Sequence, residues 1–283
     1  MATIISVASG KGGVGKTLIT ASLALALGRA GSSVLAVDGD MGLRNLDLAF
    51  GLQDDVLYDA LDLMKNRCPA SDALVSVTSG VDFLAASQKK TWEKIHVPSY
   101  LYLLEHLADR YDYVLIDCPP GRGQAYKNAV ALADRILFVL EPTWTSMRDG
   151  GRLMRFCDKH KFFDYSLVFN NFYQDRPGYI SYDEMIQVLD PEHIAGLLPH
   201  DESIHTAMQD GTLPYVLPEN AVIMAMDAMA QGILKDEEPD LAIMEMYLPR
   251  EAMPAEHVKT GRENRLTLRQ RRREAVSWRR IGW

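Results

Sequence analysis

Apolar residues along this chain fall into two rhythms. Short, continuous, β-branched runs stand at residues 4–8 (IISVA), 33–37 (SVLAV), 113–117 (YVLID), 135–140 (RILFVL) and 166–171 (SLVFNN). Runs of this length without polar alternation predict strands buried on both faces, the habit of a parallel sheet. Residues 81–85 (VDFLA) alternate weakly and predict a further strand. Between the runs lie stretches with helical spacing. Residues 18–29 are rich in Ala and Leu, residues 98–110 place Leu101, Leu104, Leu107 and Ala108 on one face, and residues 219–234 carry Val222, Met224, Met226 and Met229. Another helix is expected from about residue 55. Strands alternating with helices predict an α/β fold, doubly wound, with a largely parallel central sheet and helices on both faces.

The chemistry concentrates where the first strand meets the first helix. Residues 10–17 are GKGGVGKT and match the phosphate-loop pattern G-x-x-x-x-G-K-[ST], with Gly10, Gly15, Lys16 and Thr17 at its fixed positions. The glycines, Gly12 and Gly13 among them, let backbone N–H groups, Val14 included, approach phosphate oxygens. The helix N-terminus adds free donors and partial positive charge. In such a loop Lys16 reaches the β- and γ-phosphates and Thr17 offers its hydroxyl to Mg²⁺, so the fold is expected to be that of a P-loop NTPase.

Two further strand ends carry carboxylates. The second run ends in Asp38-Gly39-Asp40 and the run at 113–117 ends in Asp117. Open parallel sheets bind ligands at that edge. Asp117 there is expected to hold a Mg²⁺-bound water, and of the 38/40 pair one carboxylate can approach the metal while the other orients the attacking water.

Composition narrows the setting. The chain has 283 residues, 47% hydrophobic and 24% charged, within the range of a globular protein with a sizeable core. Cys68, Cys118 and Cys157 are odd in number and form no C-x-x-C pair, which argues against an iron–sulfur or zinc site and for a reducing cytoplasm. The chain enters its first strand at once, with no signal peptide expected, and no run reaches the ~18 apolar residues of a membrane span. Net charge is −8 but uneven: residues 259–283 carry nine Lys/Arg against two Asp/Glu, an excess of +7 that leaves −15 on the rest. The expected division is an ATPase domain over residues 1–235, then an acidic linker and basic tail over 236–283. Arginines among Trp278, Ile281 and Trp283 suit an anionic membrane surface, and they suit nucleic acid as well.

Lys11, directly after the first glycine, is not part of the ordinary loop pattern. With it, GKGGVGKT resembles the deviant loop of the ParA/MinD family of ATPases. The resemblance covers roughly residues 2–234 and is strongest to the family's MinD members. DGDMGLRNLDL at 38–48 is similar to their switch I, AASQ at 85–88 to a P-A-S-Q turn, and Cys118-Pro119-Pro120-Gly121 to switch II. Residues 146–152 (SMRDGGR) resemble the S-x-R-D-x-D-R start of a helix near the dimer interface, and 197–201 (LLPHD) an I-P-x-D segment. The resemblance implies a homodimer formed around ATP and Mg²⁺, with Lys11 reaching the partner's phosphates. It implies that Asp40 positions the hydrolytic water while Asp38 lies near the metal. It implies an adenine pocket lined by Asn170, Pro199 and Asp201. MinC- and MinE-like regulators are the implied partners, and a basic C-terminal helix on the inner face of the cell membrane is implied for the otherwise cytoplasmic chain. The implied function is a slow ATPase switch that positions the division septum. The rivals are a positioning ATPase acting on nucleoid DNA or flagella, and a nucleotide-binding scaffold with little turnover. Departures from the family pattern are Leu18 for a threonine, Ala85 for proline, Pro120 for alanine, Asn171 for arginine and Gly151 for the second acidic residue of the interface helix.

Overall fold

Strands and helices alternate along the chain. The first half contains β1 (Thr3–Ala8), α1 (Lys16–Arg29), β2 (Val34–Asp38), α2 (Leu46–Phe50), α3 (Ala60–Met64), α4 (Ala70–Ala73), β3 (Leu74–Thr78), β4 (Val81–Leu84) and α5 (Val97–Ala108). The second half contains β5 (Tyr113–Asp117), α6 (Gln124–Ala129), β6 (Arg135–Leu140), α7 (Trp144–His160), β7 (Tyr165–Phe172), α8 (Tyr182–Leu189), β8 (Ile194–Pro199), α9 (Glu202–Asp210) and α10 (Ala221–Lys235). The computed structural model describes residues 2–241 except 122, 163, 174 and 175. The basic run at 262–283, and all of the expected tail beyond residue 241, lie outside the described residues.

One eight-stranded sheet runs in the order β3-β4-β2-β5-β1-β6-β7-β8. Its pairs are parallel except β3 with β4, which is antiparallel. In β1, β2 and β5 nearly every successive residue is buried, so both faces of the sheet are covered. This is why those runs show no polar alternation. α1 packs against α10, and α10 lies along β8. α7 packs on β6 and beside α8. The chain moves from β1 outward through β2 to one side and later through β6 to the other, so β1 marks the switch point whose C-terminal end opens a crevice.

The strand at 74–78 has no counterpart among the predicted runs. It is only partly buried, and it closes the sheet as a short antiparallel edge with a register shift between Ser76 and Thr78. The helix expected from residue 55 begins later. Gly51 ends α2 in the left-handed region, and a loop follows in which Leu57 is 79% exposed. Asp59, extended, caps α3 through the N–H groups of Leu61 and Asp62, with Asp62 returning the bond in a capping box. The charged segment after α10 is tied to the body. Glu237 N–H donates to Gly232 O (2.9 Å), Arg135 bridges Asp164 and Asp236 (2.8 and 2.9 Å), and His193 meets Glu238 at 3.0 Å. Among the described residues no helix is long and apolar enough to cross a membrane.

Gly51 and Gly211, which end α2 and α9, face one another with φ of 71° and 67°. A Cβ on Gly51 would lie 2.5 Å from the Gly211 carbonyl oxygen. Gly51→Ala is expected to lower the unfolding free energy by about 1–3 kcal/mol, through strain and overpacking together, read as a shift of the urea midpoint.

Candidate active site

β1 ends at Ala8, and residues 9–15 turn back over its C-terminal end before α1 begins at Lys16. Gly13 (φ 80°) and Gly15 (φ 95°) take left-handed conformations, and Gly15 is the N-cap of α1. No side chain caps that helix, so its first N–H groups remain directed at the loop. Lys16 is buried, and its Nζ donates to Ser9 Oγ (3.1 Å), while Ser9 Oγ donates to the Lys11 carbonyl (2.6 Å). Ser9 thus folds Lys16 along the loop. It stands outside the motif, and nothing in the sequence pattern pointed to it. Lys11 turns away from the loop to the end of β6, where its Nζ lies 3.2 Å from Glu141 Oε2. Glu141 also accepts from Asn171 Nδ2 (3.5 Å) and takes no part in the motif.

The acids converge from β2 and β5. Asp38 and Asp117 are register partners, and Thr17 Oγ1 donates to Asp117 Oδ2 at 2.6 Å. The other oxygen of Asp117 is buried without a protein partner. Burial, with Asp38 close by, pushes the Asp117 carboxyl up to about 7, against the Thr17 bond and the Lys16 charge. Burial likewise pushes Asp38 up to about 6. Three backbone donors oppose it: Asp40 N–H to Oδ1 (2.8 Å), and Asn45 and Leu46 N–H to Oδ2 (2.8 and 3.0 Å). Both oxygens of Asp38 therefore hold the turn that leads into α2. Asp40 is raised by partial burial, with the Lys16 ammonium opposing.

A hydroxyl, one orphaned carboxylate oxygen and a row of N–H donors suit a hard divalent cation that shares its ligands with phosphates and water. They do not suit an all-protein cage. Among the described residues no group of three or more His, Cys, Asp or Glu is arranged for one.

The residues expected to line an adenine pocket lie at the ends of β7 and β8. Asn170 is buried and donates from Nδ2 to the Val14 carbonyl (2.9 Å), so it braces the phosphate loop from below. A Cβ on Gly15 would collide with that same amide, which explains a glycine there beyond its backbone angle. Pro199 ends β8 opposite Phe172. Asp201 caps α9 through Ser203 and Ile204 N–H (2.8 and 3.2 Å) and accepts from Asn220 Nδ2 (2.8 Å). Partial burial pushes its carboxyl up, but those bonds outweigh it and hold it below its ordinary value. Between them His200 stacks on Tyr173 (4.6 Å) and is held at its ring nitrogens by Asn171 and Glu202.

α7 starts beside the loop. Thr143 caps it through Ser146 N–H, and Ser146 Oγ accepts from Glu141 N–H (2.9 Å). A Cβ on Gly10 would meet Asp149 Cβ at 2.5 Å, so helix and loop touch. Asp149 pairs with Arg152 (3.3 Å). At Gly151 a Cβ would make only ordinary contacts with Arg155 and Leu189, so space does not demand the glycine.

A phosphate loop at the switch point of a parallel sheet, with two lysines and a strand-end carboxylate on its threonine, defines a P-loop ATPase of the deviant, two-lysine kind. Residues 2–162 match the family model described as AAA domain. The septum site-determining protein MinD of Synechocystis is 34% identical over 253 residues, covering 86% of this chain and 94% of that protein. Among solved structures, the MinC:MinD cell division protein complex of Aquifex aeolicus aligns with a TM-score of 0.76 at 30% identity, covering 84% of this chain and 98% of that one. MinD of Pyrococcus horikoshii, solved with Mg-ADP, aligns at 0.71 and 29%, covering 82% and 96%. The chain belongs to the MinD family of ParA/MinD ATPases.

Asn170→Ala leaves the buried Val14 carbonyl without its side-chain donor. The expected cost is about 1–3 kcal/mol of unfolding free energy in the absence of nucleotide, measured by urea denaturation.

Proposed function

We propose that this chain is an ATP-driven switch that dimerises around Mg²⁺-ATP, hydrolyses it slowly and serves placement of the division septum. The observation that carries the reading is the pairing of Thr17 with Asp117 beneath a loop that presents both Lys16 and Lys11. Lys16 lies along the loop, where β- and γ-phosphate charge would draw it from Ser9. Thr17 and the orphaned oxygen of Asp117, the latter through water, would hold Mg²⁺, which supplies positive charge to the phosphate oxygens. Asp38 acts one step back, by holding the Asp40 turn. Asp40 is then the free carboxylate of the pair, and it orients the attacking water. Asn170, Pro199 and Asp201 frame the adenine side, with Asn170 acting through the loop it braces and Asp201 through the cap of α9.

Lys11 acts on the partner protomer. Its ion pair with Glu141 is partly exposed, 35% and 19% for the two side chains. Such pairs contribute about 0–1 kcal/mol, so a phosphate cluster across a dimer interface outcompetes it. A second ammonium supplied in trans serves as an arginine finger does. A MinC-like regulator is the partner that the Aquifex aeolicus complex suggests, and the resemblance of residues 146–152 to the family's interface helix puts it on the α7 side. A MinE-like regulator is expected on the same side. Residues 262–283 attach the ATP-bound dimer peripherally to the inner face of the cell membrane, because two weak basic tails in one dimer bind far better than one.

Three measurements test the reading. Asp40→Ala should bind ATP and dimerise normally but lose at least about tenfold in single-turnover hydrolysis, since the carboxylate acts only in the chemical step. Lys11→Ala should retain ATP binding as a monomer and lose ATP-dependent dimerisation, as seen by light scattering; normal dimerisation would make Lys11 an ordinary partner of Glu141. Deletion of residues 262–283 should abolish ATP-dependent flotation with anionic liposomes. An intact chain that binds duplex DNA and never floats would move the tail to nucleic acid.

A further inference from the structure

The turn that carries Asp40 is gripped from outside the phosphate loop. Asp38 and Asp40 are separated by Gly39, whose peptide is held on two sides. Its N–H donates to the Asp117 carbonyl (2.9 Å), and a Cβ there would lie 2.7 Å from that oxygen. Its carbonyl accepts from the indole Nε1 of Trp92 at 2.9 Å, across 53 residues of chain. Trp92 is 5% exposed and packs edge-on against the buried ring of Tyr100 (5.0 Å, 86°). The same connection holds the turn twice more: Gly42 N–H donates to the Ser87 carbonyl (2.8 Å), and Thr91 Cγ2 lies where a Cβ on Gly42 would fall, at 2.9 Å. Trp92 is therefore a buried donor aimed at the second of the two peptides that join Asp38 to Asp40, the Gly39–Asp40 peptide. Its short 3₁₀ turn, Trp92–Lys94, also packs beside α6, the helix that follows Asp117 and residues 118–121.

We infer that Trp92 is a positioning residue for hydrolysis: its indole N–H holds the Gly39 peptide so that Asp40 faces the attacking water. This rests on the assignment of Asp40 to the chemical step. Asp40 N–H donates to Asp38, and the Asp40 carbonyl accepts from Leu43 and Arg44 N–H (3.1 and 3.2 Å). The Asp40 side chain itself is only partly buried, so its direction follows from the backbone beneath it. Rotation of the Gly39–Asp40 peptide would swing the carboxylate while leaving Lys16, Thr17 and the loop in place. Loss of the indole bond should then slow hydrolysis and spare ATP binding.

The test uses the full chain with Mg²⁺-ATP. Trp92→Phe keeps an aromatic ring against Tyr100 and removes the N–H. The expected result is ATP affinity within about twofold of the parent and single-turnover hydrolysis slower by about two- to tenfold, the span of one neutral hydrogen bond. Benzothienylalanine at position 92, which puts sulfur in place of the N–H within the same shape, should show the same split without leaving a cavity. Thermal midpoints are recorded for both. Hydrolysis at the parent rate in the isostere overturns the proposal. So does a parallel loss of affinity, midpoint and rate in the isostere, which would mark general disruption of the core. Asp40→Ala is measured beside them. If that variant hydrolyses at the parent rate, the role of Asp40 itself falls; if it is slow while the isostere is not, only the Trp92 assignment falls.

Discussion

The hydrogen bond from Thr17 to Asp117 joins residues one hundred positions apart at 2.6 Å, and the site depends on it. It exists because β1 and β5 are parallel neighbours in register from Thr3 with Tyr113 to Val7 with Asp117. A shift of one residue would turn Asp117 to the other face of the sheet. The same central position of β1 brings β6 to its other side, and with it Glu141, within reach of Lys11. The loop is thus flanked by an acid on each side: one beneath its threonine, the other beside its extra lysine.

Burying Asp38 and Asp117 side by side is costly, and the fold compensates unevenly. Asp38 receives three backbone N–H groups, which tie it to the turn into α2. Asp117 receives a single hydroxyl and keeps a buried oxygen without a partner. An incompletely satisfied carboxylate under a phosphate loop is a favourable position for a cation, because the ion removes the desolvation penalty that the protein leaves in place. The two aspartates thus differ in how fully the protein satisfies them: both oxygens of Asp38 are bonded, and one of Asp117 is not. The two occupy equivalent strand ends and look alike as residues.

Lys11 and Lys16 divide their tasks by burial. Lys16 is enclosed and lies along its own loop, whereas Lys11 is partly exposed and held by an ion pair to Glu141 at the end of β6. A half-exposed pair of this kind is broken at low cost, about 0–1 kcal/mol. The close approach of Gly10 to Asp149 places the first turns of α7 directly against the phosphate loop.

Much of this was legible in the sequence, for one reason: residues adjacent in the chain act together. The phosphate loop is eight consecutive residues, its donors are consecutive backbone groups, and the both-face burial of parallel strands is written directly as apolar runs. The positions of β1, β2, β4, β5, β6 and β7, and the carboxylates Asp38 and Asp117 that end β2 and β5, followed from that, as did the family. What remained depended on distance through space. The edge strand β3, half-buried and irregular, has no strong pattern of its own and forms because β4 offers it a partner. Residues 52–59 follow α2 as a loop after Gly51 takes the left-handed region and packs against Gly211, a contact between two helix ends that neither segment encodes alone. Asn170 could be picked out as an amide at a strand end, but only the packing of β7 against the loop turned its nitrogen to Val14. Ser9, Glu141 and Trp92 act on the site through Lys16, Lys11 and Gly39. Their partners are set by the register of neighbouring strands and the path of a connecting loop, which periodicity along a single chain does not specify.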